Sequence, residues 1–299
     1  MAPSKPRGEG PRPGRERLAA MRAAQQRKER RRRLLIGAGA IAAVIIIMGA
    51  IIATAVLRSG GPASQATSTS VPAGVLRAVT RVPSGTLESV GRGSAVTLPK
   101  PAKGQALSQA GKPEVLYVGA EYCPYCAAQR WPMVVALSRF GSFSGLRATH
   151  SASEDVYPNT PTFTFHGATY TSSYLSFVGK ELTTNQRKGT GYAPLDTLTS
   201  TERKEFDRLT GGTGSIPLVD FAGRYVISGV QYDPSVLTGK TMNDIAQALG
   251  HPSSPVAKGI NGSANTLTAA ICQVTKGQPA SVCATPAIKT LRAQLTAGR

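Results

Sequence analysis

The chain has 299 residues, and 35 lysines and arginines against 16 acidic residues give it a formal charge of +19. Such a charge is common in nucleic-acid-binding proteins, but twelve of the basic residues lie in residues 1–33, an arm without any aromatic side chain to stack on bases. We therefore expect no nucleic acid partner.

The basic arm is followed by an uncharged segment of 24 residues, Leu34–Leu57. At about 1.5 Å per residue, a helix of this length crosses a hydrocarbon core of about 30 Å, so the segment predicts a transmembrane helix in contact with membrane lipid. Arg30–Arg33 flank its first end, which predicts a cytoplasmic arm at residues 1–33 and an extracytoplasmic C-terminal part in a single-pass protein of the cell membrane. The alternative is a cleaved signal peptide with Ala53-Thr54-Ala55 as its cleavage site. Residues 58–74 are small and polar and predict a flexible linker.

The first predicted core element is Val115–Ala120, an apolar run that indicates a buried strand. It leads into Cys123-Pro124-Tyr125-Cys126, and the apolar spacing is then helical as far as Phe140. At a helix N-terminus, free N–H groups and the helix dipole favour a thiolate over a thiol. The pattern predicts a redox pair in which Cys123 is the nucleophile and Cys126 is the resolving thiol.

A zinc site and a structural bridge are the alternatives for this pair. A C-x-x-C motif is half of a common zinc site, but the remaining cysteines and histidines lack the spacing of a second half: Cys272, Cys283, His150, His166 and His251. A bridge between Cys123 and Cys126 would close so short a loop that it would stabilise little. We expect no metal and no cofactor.

The elements after the first helix alternate between strands and helices. They are a strand at Leu146–Ser151, a hairpin of Thr160–Phe165 with Ala168–Phe177, a helix at Thr197–Leu209 capped by Thr199 or Ser200, a hairpin of Ile216–Phe221 with Tyr225–Val230, a helix at Thr241–Leu249, and two helices within Ser263–Leu295.

The cysteine motif and its surroundings resemble known redox proteins. CPYC resembles the motif of glutaredoxins, and the segment around it resembles the thioredoxin superfamily. Residues Val75 to Leu295 are similar to an actinobacterial family of membrane-anchored thioredoxin-like proteins, domain-of-unknown-function family 929. The similarity rests on GKPEVLYVGAEYCPYCAAQRWPMVVALSRFGSFSGL, DVYPNTPTFTFHGATYTSSYLSF, IPLVDFAGRYVISG and TAAICQVTKGQPASVC.

The resemblance implies an α/β, thioredoxin-like fold, in which helices flank a mixed central sheet. It places the thioredoxin-like extracytoplasmic domain at residues 75–250 and a helical C-terminal extension at residues 251–299. It implies a thiol–disulfide oxidoreductase that acts on exported cysteine-containing proteins or on a membrane redox partner. The alternative is a non-catalytic thioredoxin-like binding or scaffold module.

The resemblance also implies a cis-proline that docks the substrate chain opposite the cysteine pair. Ile216-Pro217 stands before a hairpin and a helix, which is the order that this fold requires, and Pro161 in TPTF is the alternative. Two positions depart from characterised thioredoxins. Tyr117 stands where those enzymes have a buried acid, and Tyr122 stands in place of tryptophan.

The remaining cysteines, Cys272 and Cys283, are predicted to form a structural disulfide. Cysteines in an oxidising compartment are usually paired, and pairing Cys123 with Cys126 leaves these two as partners. The alternative is a second redox pair that relays electrons to the first. Neither cysteine opens a helix after a strand, which favours the structural interpretation.

Overall fold

The computed structural model describes residues 68–297. The predicted arm, the predicted transmembrane helix and most of the predicted linker lie outside these residues. Within the described part of the chain, no helix is both long enough and apolar enough to cross a membrane.

A mixed six-stranded sheet forms the centre of the fold, with the strand order β2-β13-β12-β4-β3 and β9 paired with β4. Its strands are β2 (Lys100–Pro101), β3 (Ser108–Gln109), β4 (Lys112–Gly119), β9 (Ser176–Glu181), β12 (Leu218–Phe221) and β13 (Tyr225–Ser228). The β4–β9 pair is parallel and the other pairs are antiparallel. Sheet and helices together confirm the α/β class.

Strand β4 lies inside this sheet because its side chains are apolar on both faces. Val115 to Gly119 is buried throughout, as expected for a strand that is covered from both sides. The predicted hairpin of β12 and β13 is also present. Its turn places Ala222 and Gly223 at φ 54° and 69°, the left-handed region that tight hairpin turns use.

The predicted hairpin between Thr160–Phe165 and Ala168–Phe177 is wrong. The region forms β7 (Pro161–Thr164), β8 (Thr169–Ser172) and the start of β9, and none of these pairs with another. Instead β7 pairs with β6 (Arg147–His150), which also pairs with β1 (Thr69–Ser70), and β8 pairs with β5 (Gly141–Ser144). Alternation along a strand shows that its two faces differ, but it does not choose the partner strand.

Aromatic side chains pack together where β5 pairs with β8. The ring of Phe143 in β5 lies 5.9 Å from that of Phe165 and 5.1 Å from that of Tyr170. The rings of Phe165 and Phe177 meet edge to face at 4.9 Å. Pairing β8 with β5 therefore sets Phe143 opposite Tyr170 and packs both against the core that includes Phe165.

The helices pack around the sheet. They are α1 (Ala73–Thr80), α2 (Ser84–Val90), α3 (Pro124–Leu137), α4 (Ser200–Thr210), α5 (Met242–Ala248), α6 (Pro255–Val274), α7 (Ala280–Cys283) and α8 (Pro286–Ala297). Thr199, one of the two predicted caps, begins helix α4 with a capping box, in which Thr199 and Glu202 each accept the other's backbone N–H. Helices α1 and α2 were not predicted, because their short segments bury only Val75, Val79 and Leu87.

Helix α6 begins at Pro255, eight residues before the predicted Ser263, and packs along α3 in the main hydrophobic core. Its buried polar residues bind neighbouring backbone. Asn261 donates to Leu249 O at 2.9 Å, and Asn265 donates to Leu87 O at 2.8 Å and Gly91 O at 2.7 Å. The described part of the predicted C-terminal extension therefore shares one core with α3.

Candidate functional site

The cysteine pair lies where the central strand β4 leads into helix α3. Strand β4 ends at Gly119, Cys123 is the N-cap of α3, and Pro124 occupies the first helical position. Proline suits that position because its fixed φ is helical and its missing N–H would have no partner there. The N–H of Cys126 points back and donates to Cys123 Sγ at 3.2 Å. Cys123 therefore replaces the usual capping oxygen with sulfur.

The two sulfur atoms have different environments. Both residues are free thiols, and 5% of Cys123 is exposed whereas Cys126 is fully buried. The side chain of Cys126 hydrogen-bonds to Cys123 and, against the effect of burial, holds the pKa of Cys123 below its usual value. Burial raises the pKa of Cys126 well above its usual value. Cys123 is thus both the more accessible and the more acidic thiol.

A buried ion pair that was not predicted from the sequence lies next to the cysteines. Arg130 Nε and Nη2 donate to Glu181 Oε1 and Oε2 at 2.8 and 2.6 Å, and both side chains are 0% exposed. Arg130 Nη2 also donates to Ala120 O at 2.7 Å. The two residues are 51 positions apart, and the only signal in the sequence is that no acidic residue lies near Arg130.

Two further polar side chains are buried here without a partner among the described residues. Both carboxyl oxygens of Glu121 and the hydroxyl of Tyr117 lack a hydrogen bond. The Tyr117 ring meets Phe165 edge to face at 5.0 Å, and Arg130 Cζ lies 5.9 Å from its centre. Burial raises the pKa of Tyr117 well above its usual value, so the tyrosine at this position is a neutral phenol.

Tyrosines surround the outer face of the pair. Tyr122 stacks on Tyr192 with ring centres 4.2 Å apart, and Arg187 Cζ lies 4.6 Å from the centre of Tyr192. Tyr125, between the two cysteines, is 41% exposed and meets Tyr157 edge to face at 6.0 Å. These contacts fix the loop and the β10–β11 ribbon (Thr183–Lys188 and Gly191–Pro194) beside the motif.

Two side chains hold α3 in place below the cysteines. Pro132 has no N–H, so the helical hydrogen bond to Ala128 O cannot form. Tyr232 supplies the missing donor through its hydroxyl, 2.9 Å from Ala128 O. Thr162 Oγ1 donates to the adjacent Ala127 O at 2.7 Å. The helix carrying the cysteines is therefore bound on one side by β7 and on another by the segment after β13.

The two candidate docking prolines occupy different places. The Ile216–Pro217 bond is cis, and the pairing of Leu218 with Val118 brings Pro217 beside Gly119 at the end of β4. Pro161 lies at the start of β7, where its carbonyl accepts a hydrogen bond from Trp131 Nε1 at 2.9 Å. Unlike the Ile216–Pro217 bond, the Thr160–Pro161 bond is not cis.

Cys272 and Cys283 form a disulfide that joins α6 to α7, with their Cα atoms 5.6 Å apart and both residues buried.

Two of the histidines have hydrogen-bond partners. His166 Nδ1 lies 2.7 Å from Asp196 Oδ1, and His150 Nδ1 lies 2.8 Å from Ser151 O. Within residues 68–297, no group of three or more histidine, cysteine or acidic residues is arranged to hold a metal ion.

Comparisons with curated proteins and with solved structures find no match for this chain. A family model described as "Domain of unknown function (DUF929)" matches residues 101–192. That range contains β4, both cysteines of the motif, all of α3 and both members of the Arg130–Glu181 pair. This part of the chain belongs to the DUF929 family.

Proposed function

We propose that the protein is a membrane-anchored, extracytoplasmic thiol–disulfide oxidoreductase with a thioredoxin-like fold. The observation that carries the proposal is the N–H of Cys126 donating to Cys123 Sγ at the first turn of α3. A sulfur in this position is bound by the free N–H groups and the dipole of the helix, which favour its negatively charged form. The lower pKa and the greater exposure both belong to Cys123, as a nucleophile requires.

The reaction proceeds through a mixed disulfide. The Cys123 thiolate attacks one sulfur of a substrate disulfide, forms a bond to it and releases the other as a thiolate. Cys126 then loses its proton and attacks Cys123, which releases the second substrate sulfur. The substrate gains two electrons, and the Cys123–Cys126 pair becomes a disulfide. The reverse sequence oxidises a substrate dithiol, and the relative reduction potentials decide the direction.

The fold supports the same proposal. A central strand leads to the cysteines and their helix, a parallel strand lies on one side, and an antiparallel hairpin followed by helices lies on the other. Pro217 lies beside the end of β4, where the backbone of Ile216 and Pro217 would dock a substrate chain next to Cys123. The substrates we propose are exported cysteine-containing proteins or a membrane redox partner.

The chemical test is differential labelling of the reduced full-length protein. At mildly acidic pH, an alkylating reagent should modify Cys123 well before Cys126, as read by mass spectrometry of peptides. The variant Cys126→Ser should accumulate mixed disulfides with protein substrates, and Cys123→Ser should accumulate none. Slow and equal labelling of the two cysteines would instead favour a non-catalytic binding or scaffold module.

The proposed location depends on Leu34–Leu57 and its arginine flank. A phosphatase that is active only outside the cytoplasm should be active when fused after Arg299 and inactive when fused after Arg33. The reverse pattern would contradict an extracytoplasmic site.

A further inference from the structure

A full positive charge is buried directly beneath the cysteine pair. Arg130 is 0% exposed, although arginine is among the residues least often buried completely. Burial opposes its charge, but the carboxylate of Glu181 holds the pKa of Arg130 well above its usual value, so the guanidinium is ionised. Replacing a buried ion pair with well-packed apolar side chains often leaves a protein equally stable. The buried Arg130–Glu181 pair therefore suggests a role other than stability.

The helical spacing places Arg130 on the same face of α3 as the two cysteines. Arg130 follows Cys126 by four residues and Cys123 by seven, so the three lie on one face of α3. The guanidinium also donates to Ala120 O, at the beginning of the loop that carries Cys123. Arg130 Nη1 has no hydrogen-bond partner among the described residues. Glu181 therefore binds the guanidinium through Nε and Nη2 and leaves Nη1 unpaired.

Among the described titratable groups that act on the two sulfur atoms, Arg130 is the cation. The groups that surround the pair are Tyr117 on β4, Glu121 and Tyr122 in the loop, Arg130 on α3, and Glu181 at the end of β9. For Cys123, the hydrogen bond from Cys126 lowers the pKa most, burial opposes it, and Arg130 lowers it further. For Cys126, burial raises the pKa and Arg130 opposes that rise.

We propose that Arg130, held in place by Glu181, is a positioning residue that stabilises the thiolate of the Cys123–Cys126 pair. The inference rests on the proposed redox function and deepens it. When the pair is reduced, the positive charge of Arg130 offsets the negative charge of the thiolate, because the protein interior screens electrostatic interactions only weakly. Stabilising the thiolate favours the reduced pair, and Glu181 restrains this effect by neutralising part of the same charge.

The test is the pH midpoint at which Cys123 becomes reactive in the reduced full-length protein. The midpoint is read from the alkylation rate of Cys123 by mass spectrometry and from the ultraviolet absorbance of the thiolate. Four variants are compared with the wild type: the neutral double variant Arg130→Gln/Glu181→Gln, and the single variants Glu181→Gln, Arg130→Lys and Arg139→Gln. Arg139 is the matched control, a largely buried arginine just beyond α3 that binds Asn265 and Thr268 instead.

The variants should move the midpoint in opposite directions. The double variant should raise it by about one pH unit, because it removes the nearer charge. Glu181→Gln should lower it, because the charge of Arg130 is then no longer compensated. Arg130→Lys keeps the charge and should stay closer to the wild type than the double variant does, and Arg139→Gln should leave the midpoint unchanged.

A purely structural ion pair would not produce opposite shifts. Midpoints that stay the same in folded double and Glu181→Gln variants, or that move the same way in both, would overturn the inference. If circular dichroism shows that the double variant does not fold, Glu181→Gln carries the test: its midpoint should fall below those of Arg130→Lys, Arg139→Gln and the wild type, and a midpoint that does not fall would overturn the inference. Opposite shifts in a protein that exchanges no disulfides would support the role of Arg130 and contradict only the redox function.

Discussion

The hydroxyl of Tyr232 should stabilise the helix that carries the cysteines. Tyr232 is buried and donates to Ala128 O at 2.9 Å, the carbonyl that Pro132 leaves without a helical partner. The variant Tyr232→Phe keeps the ring and its packing but removes this donor. Ala128 O would then be a buried carbonyl without a hydrogen bond, since the N–H that normally serves it does not exist.

The expected loss follows from the cost of an unsatisfied buried group. Removing one partner of a buried hydrogen bond costs about 1–3 kcal/mol, so we expect the free energy of unfolding to fall by about 2 kcal/mol. For a domain of this size, that change lowers the melting temperature by about 4–8 °C. Thermal unfolding of the full-length protein, followed by circular dichroism, measures it.

Tyr170→Phe is the matched control for this prediction. Tyr170 donates to Leu137 O at 2.8 Å, but that carbonyl also accepts the N–H of Phe140 at 2.9 Å. Its removal leaves no orphaned carbonyl, so the loss should be smaller, about 1 kcal/mol. Equal melting temperatures for the two variants, or a Tyr232→Phe variant as stable as the wild type, would refute the role assigned to Tyr232.

Two further predictions concern stability. Replacing Cys272 and Cys283 with alanine opens a loop with a sequence separation of 11, which should lower the free energy of unfolding by about 3 kcal/mol in denaturant titrations. Cys123 should react as before, and lost redox activity in the folded variant would make this disulfide part of the mechanism. Burial raises the pKa of Asp220 from 3.8 to about 7, so the folded state binds the extra proton and stability is lost as pH rises from about 4 to about 7. Unfolding midpoints across that range should show this fall, and Asp220→Asn should flatten it; an unchanged slope in Asp220→Asn would contradict the assignment.

Much of the region around the cysteines could be predicted from short stretches of sequence. The apolar run before Cys123 and the helical spacing after it identified β4 and α3, because each pattern is complete within one element. Thr199 and Ser200 marked the start of α4 for the same reason, since caps act within one turn, and the structure selects Thr199 as the cap. Where the signal was weak, as in the short helices α1 and α2, no element was predicted.

Contacts between distant parts of the chain were decided only by the tertiary structure. Alternation in residues 160–177 identified strands, but only the folded chain shows that β7 pairs with β6 and that β8 pairs with β5, where Phe143 meets Tyr170. Arg130 meets Glu181 and Ala128 meets Tyr232 across 51 and 104 positions. Local patterns determine which element a segment forms, because helix and strand periodicities extend over a few residues. The partners of a buried charge or an orphaned carbonyl depend on which elements pack together, and no local pattern contains that information.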